Sequence, residues 1–171
     1  FNVFPPQSKY SCKIESLEGV ACISDTFGKL LFYTNGITVW NKNNDTMEGG
    51  FKLIGKYSST QAAIIIKAYN NDSIYYIVTT PNVTDKNIGL RYNIVNIRLN
   101  GGLGKVIKKN IILSEVSTEK ITATFHQNQK DVWIIGHTFK DNNFYTTLVK
   151  DEGFISCPIA SSVGSTISYL Y

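Results

Sequence analysis

The stretch HQNQKDVWIIGH sets His126 and His137 on either side of Asp131 and Trp133. Imidazole and carboxylate groups build acid–base pairs and divalent-metal sites. Asn128-Gln129-Lys130 reads as a turn, however, so His126 precedes a hairpin and His137 ends its return strand. At about 3.3 Å per residue, six residues along that strand separate the two levels by roughly 20 Å. One metal ion does not bridge that distance. The spacing predicts a structural hydrogen bond between His126 and Asp131 instead. No catalytic, cofactor-binding or metal residue is assigned, and no cofactor is expected.

The other reactive side chains also read as architecture. Asp45, Asp72, Asp85 and Asp141 all lie in Asn-rich stretches. Asn and Asp favour turns because their side chains bond nearby backbone, and none has calcium-loop spacing. Gly101-Gly102-Leu103-Gly104 precedes no helix, so it is a turn rather than a phosphate cradle. Cys12, Cys22 and Cys157 form no C-x-x-C; Cys12 could bridge Cys22 if their segments are neighbours, or each is a free thiol. A net charge of +4 with scattered lysines, densest at Lys108-Lys109, lacks the basic stripe of a nucleic-acid surface. Tyr33, Tyr75, Tyr76, Tyr92, Trp133 and Tyr145 are candidates to stack on sugars, but most alternate with Ile and Val, a core pattern.

The elements that position these groups are short strands. LLFYTNGITVWN (30–41) reads as two strands joined at Asn35-Gly36 by a type I′ turn, in which both central residues take positive φ. Strands are also expected at 10–14, 20–24, 62–67, 74–79, 90–97, 106–113, 121–126, 131–137, 144–149 and 154–157. Residues 41–50 are a polar loop and 81–87 an inserted one. No helix of useful length and no run of 18 apolar residues occurs, so no membrane span is expected. Ile23, Leu31, Tyr33, Ile64, Ile66, Tyr76, Val78, Ala123, Trp133 and Ile135 are the expected core.

One strand–turn–strand theme recurs with Leu30, Ile74 and Val132 in register, 44 and 58 residues apart. Four-stranded antiparallel units at 40–50 residues are the signature of propeller blades. The fold class is therefore all-β: a partial β-propeller of about three four-stranded blades of the WD or YVTN kind, in an open arc. The blades lie near 17–50, 61–113 and 119–158. A plain β-sandwich is the competing all-β reading. Three blades do not close a ring, so residues 1–171 read as a fragment, with partial strands at 1–6 and 164–171.

Leu17-Glu18-Gly19, Ile23-Ser24-Asp25, Gly28 and Leu30 through Asn41 resemble the opening of a family of large secreted Bacteroidota proteins. The likeness continues in order through Ser59–Ala62, Tyr75–Ile77, Gly89–Tyr92, Leu99–Gly104, Asn110, Glu119–Ala123, His126, Asp131–Trp133 and His137 to Val163–Ser165. Two departures stand out: Val20-Ala21-Cys22 where the family has Cys directly after Glu-Gly, and Gln129-Lys130 where it has a turn Gly. The resemblance implies a propeller-like N-terminal region, PKD-type modules and a gliding-motility-associated C-terminal sorting domain. It also implies type IX secretion, cell-surface localisation and no known catalytic residues.

The expected function is accordingly a non-enzymatic extracellular module supporting adhesion, interaction or display of further domains. The alternatives are a glycan-binding propeller and, behind it, a propeller hydrolase or lyase. The expected partners are missing blades and downstream domains of the same chain, with a surface protein or glycan as ligand.

Overall fold

The computed structural model describes residues 11–82, 89–150, 153–154 and 158–167. In chain order the strands are β1 (Ala21–Ser24), β2 (Leu30–Thr34), β3 (Val39–Asn41), β4 (Ala63–Lys67), β5 (Ile74–Thr79), β6 (Arg91–Asn96), β7 (Lys105–Ile112), β8 (Ile121–Phe125), β9 (Val132–His137), β10 (Asn143–Lys150), β11 (Gly153–Phe154) and β12 (Ile159–Ser162). One helical stretch, α1 (Leu99–Gly102), has Asn100 and Gly101 at positive φ, so it serves as the turn between β6 and β7.

The fold is all-β, with three antiparallel sheets, none of them closed. Their orders are β1-β2-β3, β4-β5-β6-β7 and β11-β10-β9-β8, the last with β12 also paired to β10. Four strands per sheet were expected, and the sheets have three, four and five. In the first sheet the Asn41 carboxamide accepts the amides of Asn43 (2.8 Å) and Asp45 (3.2 Å), turning the chain sharply. What would be a fourth strand shrinks to a single bridge, Trp40 to Thr46. In the third sheet the last edge is divided: β11 pairs with one end of β10 and β12 with the other. Pro158, which has no N–H for a ladder, immediately precedes β12.

The Asn35-Gly36 hairpin also differs from expectation. Only Gly36 takes positive φ (86°), and Thr34 pairs with Val39, so the connection is four residues long. The Asn35 side chain explains this, because its Oδ1 accepts the amides of both Ile37 (3.0 Å) and Thr38 (2.9 Å). An Asx-type turn displaces the two-residue one. Residues 11–14, expected as part of a strand, form none; the Lys13 amide instead donates to the Tyr33 hydroxyl at 3.0 Å. The expectations for residues 1–10, Asp85, most of the 81–87 loop, residues 155–157 of the strand expected at 154–157 (Cys157 with them) and residues 168–171 fall outside the described residues.

The second sheet is the centre of the assembly. Successive strand residues point to opposite faces, and in β5 both sets are apolar. Tyr75 and Ile77 join Phe32, Val39 and Met47 of the first sheet region, with Val95 and Val106 beside them. Tyr76 and Val78 join Ile66, Leu90 and, from the third sheet, Ile121, Ile134 and Val149. The leading strands lie side by side, β1 against β4 and β4 against β8.

Of the expected core, Tyr33, Ile66, Tyr76 and Val78 are buried, while Ile23, Leu31 and Ile64 are partly buried at its margins. Ala123 is exposed, and Trp133 and Ile135 are only half-buried. The last two point away from the second sheet, since their neighbours Val132 and Ile134 occupy the face packed on it.

Candidate binding cleft

His126 and His137 lie at opposite ends of β9, as their spacing requires. The His126 amide pairs with the Asp131 carbonyl (2.8 Å), while the His137 backbone lies opposite Phe144. The expected direct His126–Asp131 side-chain bond is absent. Asn128 intervenes: its amide N–H donates to His126 Nδ1 (3.2 Å) and its side-chain Nδ2 donates to Asp131 Oδ2 (2.9 Å). One turn residue thus meets the imidazole with its backbone N–H and the carboxylate with its side-chain carboxamide. His137 is buried, with Nδ1 2.6 Å from the Thr138 carbonyl and its ring edge-on to Phe144.

The turn acids have backbone and ion-pair duties. Asp141 accepts the Asn143 amide (2.9 Å), Asp45 pairs with Lys13 (3.3 Å), and Asp72 pairs with Lys67 (2.5 Å). Among the described residues, no three His, Cys, Asp or Glu side chains gather as a metal site would require. Cys12 and Cys22 are exposed free thiols. Lys109 donates to the Phe51 carbonyl (2.9 Å), and no helix among the described residues is long and apolar enough to cross a membrane. Of the six candidate stacking rings, Tyr33, Tyr75 and Tyr76 are buried and the rest are half-buried. Tyr33 stacks on Trp40, and Tyr92 packs on Phe154.

A different set of rings is exposed. Phe27, Tyr69 and Phe125 are 82%, 48% and 65% exposed, one beside the first turn of each sheet. Each turn is held by one side-chain oxygen that accepts two donors. Asp25 takes the amides of Phe27 and Lys29, Asn71 the amide and hydroxyl of Ser73, and Asn128 the amides of Lys130 and Asp131. Lys130 of the third turn reaches Tyr69 beside the second, and Asp25 of the first turn acts on Tyr75 just past the second, so the three turns share one end.

Between the last two of these turns, the second and third sheets diverge around an open cleft of about 480 Å³. Ile65, Ile66, Ala68 and Tyr69 form one wall, and Ala123, Phe125 and Val132 the other. Ala123 pairs with Ile134 and Phe125 with Val132, so both side chains lie on the face that turns toward the second sheet. They are exposed because β4 and β8 part there.

Two lysines edge this apolar volume. Lys67 is engaged by Asp72, whose hydrogen bond and charge hold the ammonium above its usual pKa and the carboxyl below its own. Lys130 reaches over the Tyr69 ring, 5.5 Å from its centre. Among the described residues no carboxylate lies within salt-bridge distance of it. The volume falls in the range of small-molecule sites, which are mainly apolar with a few convergent polar groups. Sequence reasoning missed Tyr69 and Phe125; their signal was an aromatic within two residues of the end of a leading strand, just ahead of an Asn-containing turn.

No family model matches this chain, and no curated protein or solved structure is significantly similar to it.

Proposed function

We propose that the chain is a non-enzymatic interaction module of an exported surface protein, formed by three blades of a larger propeller-like arc. The observation that carries the architectural part is the second sheet. It is apolar on both faces, has a sheet packed on each, and its leading strand lies between the other two. Radial blade packing produces this arrangement. A sandwich joins two sheets through one inner face each, which leaves the second apolar face of β5 unexplained.

Export, the Bacteroidota kinship and attachment to downstream domains rest on the resemblance of residues 17–165. The interaction role is supported by the turn-bearing end, where Phe27, Tyr69 and Phe125 are exposed on or beside short Asx-held turns. The glycan-binding alternative rested on rings that largely pack inside or between sheets, so the interaction reading is preferred. The test is retention of the purified chain on arrays of matrix proteins and polysaccharides, with chromogenic glycosidase, lyase and esterase substrates alongside. Saturable retention without product is expected. Turnover abolished by a single-residue substitution would replace this reading with an enzymatic one, and absence of retention would remove the interaction role.

A further inference from the structure

We infer that the cleft between the second and third sheets is a binding site for small carboxylates carrying an apolar or aromatic body. This rests on the interaction reading only in treating the turn-bearing end as a ligand surface; it needs neither export nor further blades. Two features choose the ligand class. The walls are aliphatic and aromatic (Ile65, Ala68, Tyr69, Ala123, Phe125, Val132), so the body that displaces water from them must be apolar. At the edge, Lys130 supplies an ammonium with no anionic partner among the described residues, resting over the Tyr69 ring.

The second cation does not compete for the ligand, because Asp72 neutralises Lys67 at 2.5 Å. Two acids lie near these lysines, Asp131 and Asp72. Asp131 receives the Asn128 carboxamide, so both acids have donors of their own. A sugar fits less well: apart from the Thr124 hydroxyl, the Tyr69 hydroxyl and the two ammonium groups, the lining offers no side-chain polar group to answer a ring of hydroxyls. An uncharged apolar molecule would leave Lys130 unanswered. A carboxylate whose body rests between Tyr69 and Phe125 meets both requirements.

The test uses the whole 171-residue chain, 15N-labelled, titrated with 4-phenylbutyrate, its uncharged amide 4-phenylbutyramide, and glucuronate. Phenylbutyrate is expected to shift the amides of Ala68, Tyr69, Thr124 and Phe125 saturably, with the amide analogue at least tenfold weaker. Lys130→Met keeps the stem and removes the charge, so it should weaken phenylbutyrate about tenfold, roughly 1.4 kcal/mol, and leave the amide analogue unchanged. Phe125→Ser should weaken both. These side chains are exposed, and an unchanged thermal melt verifies that the variants fold. Equal binding of acid and amide, equal binding of glucuronate, insensitivity to Lys130→Met, shifts centred elsewhere, or no saturable shift at millimolar ligand would each overturn the assignment. Retention on the arrays without a phenylbutyrate response overturns the ligand class alone; a phenylbutyrate response without array retention overturns the macromolecular role alone.

Discussion

Truncating one buried isoleucine on each side of the second sheet tests the layered architecture directly. Ile77 is fully buried in the core shared with the first sheet, and Ile134 is 1% exposed in the core shared with the third. Ile→Ala removes three carbons, and at about 0.8 kcal/mol each the lost transfer free energy is roughly 2.4 kcal/mol. Incomplete collapse around the cavity raises this toward the middle of the observed range, about 3–4 kcal/mol for each variant. For a chain of this size that lowers Tm by roughly 6–16 °C. The two side chains lie on opposite sides of the second sheet and belong to separate clusters, so the double variant should be additive within about 0.5 kcal/mol. Urea unfolding followed by Trp40 and Trp133 fluorescence provides the free energies, with Phe125→Ala, at 65% exposure, as a control costing under about 0.5 kcal/mol. A coupling above 1 kcal/mol would mean that the two clusters are one core. A loss below 1 kcal/mol at either position would mean that its sheet interface does not form.

The remaining expectations concern single positions. Gly36→Ala should destabilise by about 2–3 kcal/mol: φ is 86°, and a Cβ there would lie 2.8 Å from the Ala62 carbonyl, a backbone atom that cannot swing away; an unchanged chemical-denaturation midpoint would contradict the strained turn. Trp133→Ala should cost about 2 kcal/mol rather than the 3–5 of a fully buried aromatic, since the ring is half-buried beside His126, and urea unfolding distinguishes the two figures. Tyr75 has its pKa raised above the ordinary phenol value, chiefly by burial. A folded state that holds the proton more tightly is favoured below the unfolded value near 10, so this contribution should fade as pH rises beyond about 10, and Tyr75→Phe should flatten that loss. The Asp72 carboxyl, lowered by its bond from Lys67, should titrate by NMR below the ordinary carboxylate value, and Lys67→Met should return it there.

The strands were legible because alternation and turn chemistry are local properties. Leu30, Ile74 and Val132 each open the second strand of their sheet, the register read from the repeated theme. What escaped was decided by side-chain bonds that periodicity does not encode. Asn35 and Asn41 each capture two amides, lengthening one hairpin and stunting one edge. Asn128 takes the place of the expected His126–Asp131 bond by occupying both groups. The cleft was illegible for a third reason. It arises where two sheets separate in space, so Ala123 and Phe125 carry a core pattern in sequence yet lie open in the fold.

Burial of the faces differs from sheet to sheet, and that difference bears on the proposed arc. The outward face of the first sheet carries Tyr33 and Trp40, both buried, because residues 13–17 cross it: the Lys13 amide donates to Tyr33 and the Asn35 side chain donates to the Glu15 carbonyl. The second sheet is covered on both sides by its neighbours. The outward face of the third sheet has Trp133, Ile135 and Phe144 half-buried, with Ile159 57% exposed. The same strand design thus meets three degrees of cover. Burial on this chain follows what lies against each sheet rather than the alternation within it, which is why β5 is buried almost throughout and β8 scarcely at all. A stacked architecture places specificity in its interfaces, and its ligand surface falls where two neighbours part: at the cleft between Tyr69 and Phe125.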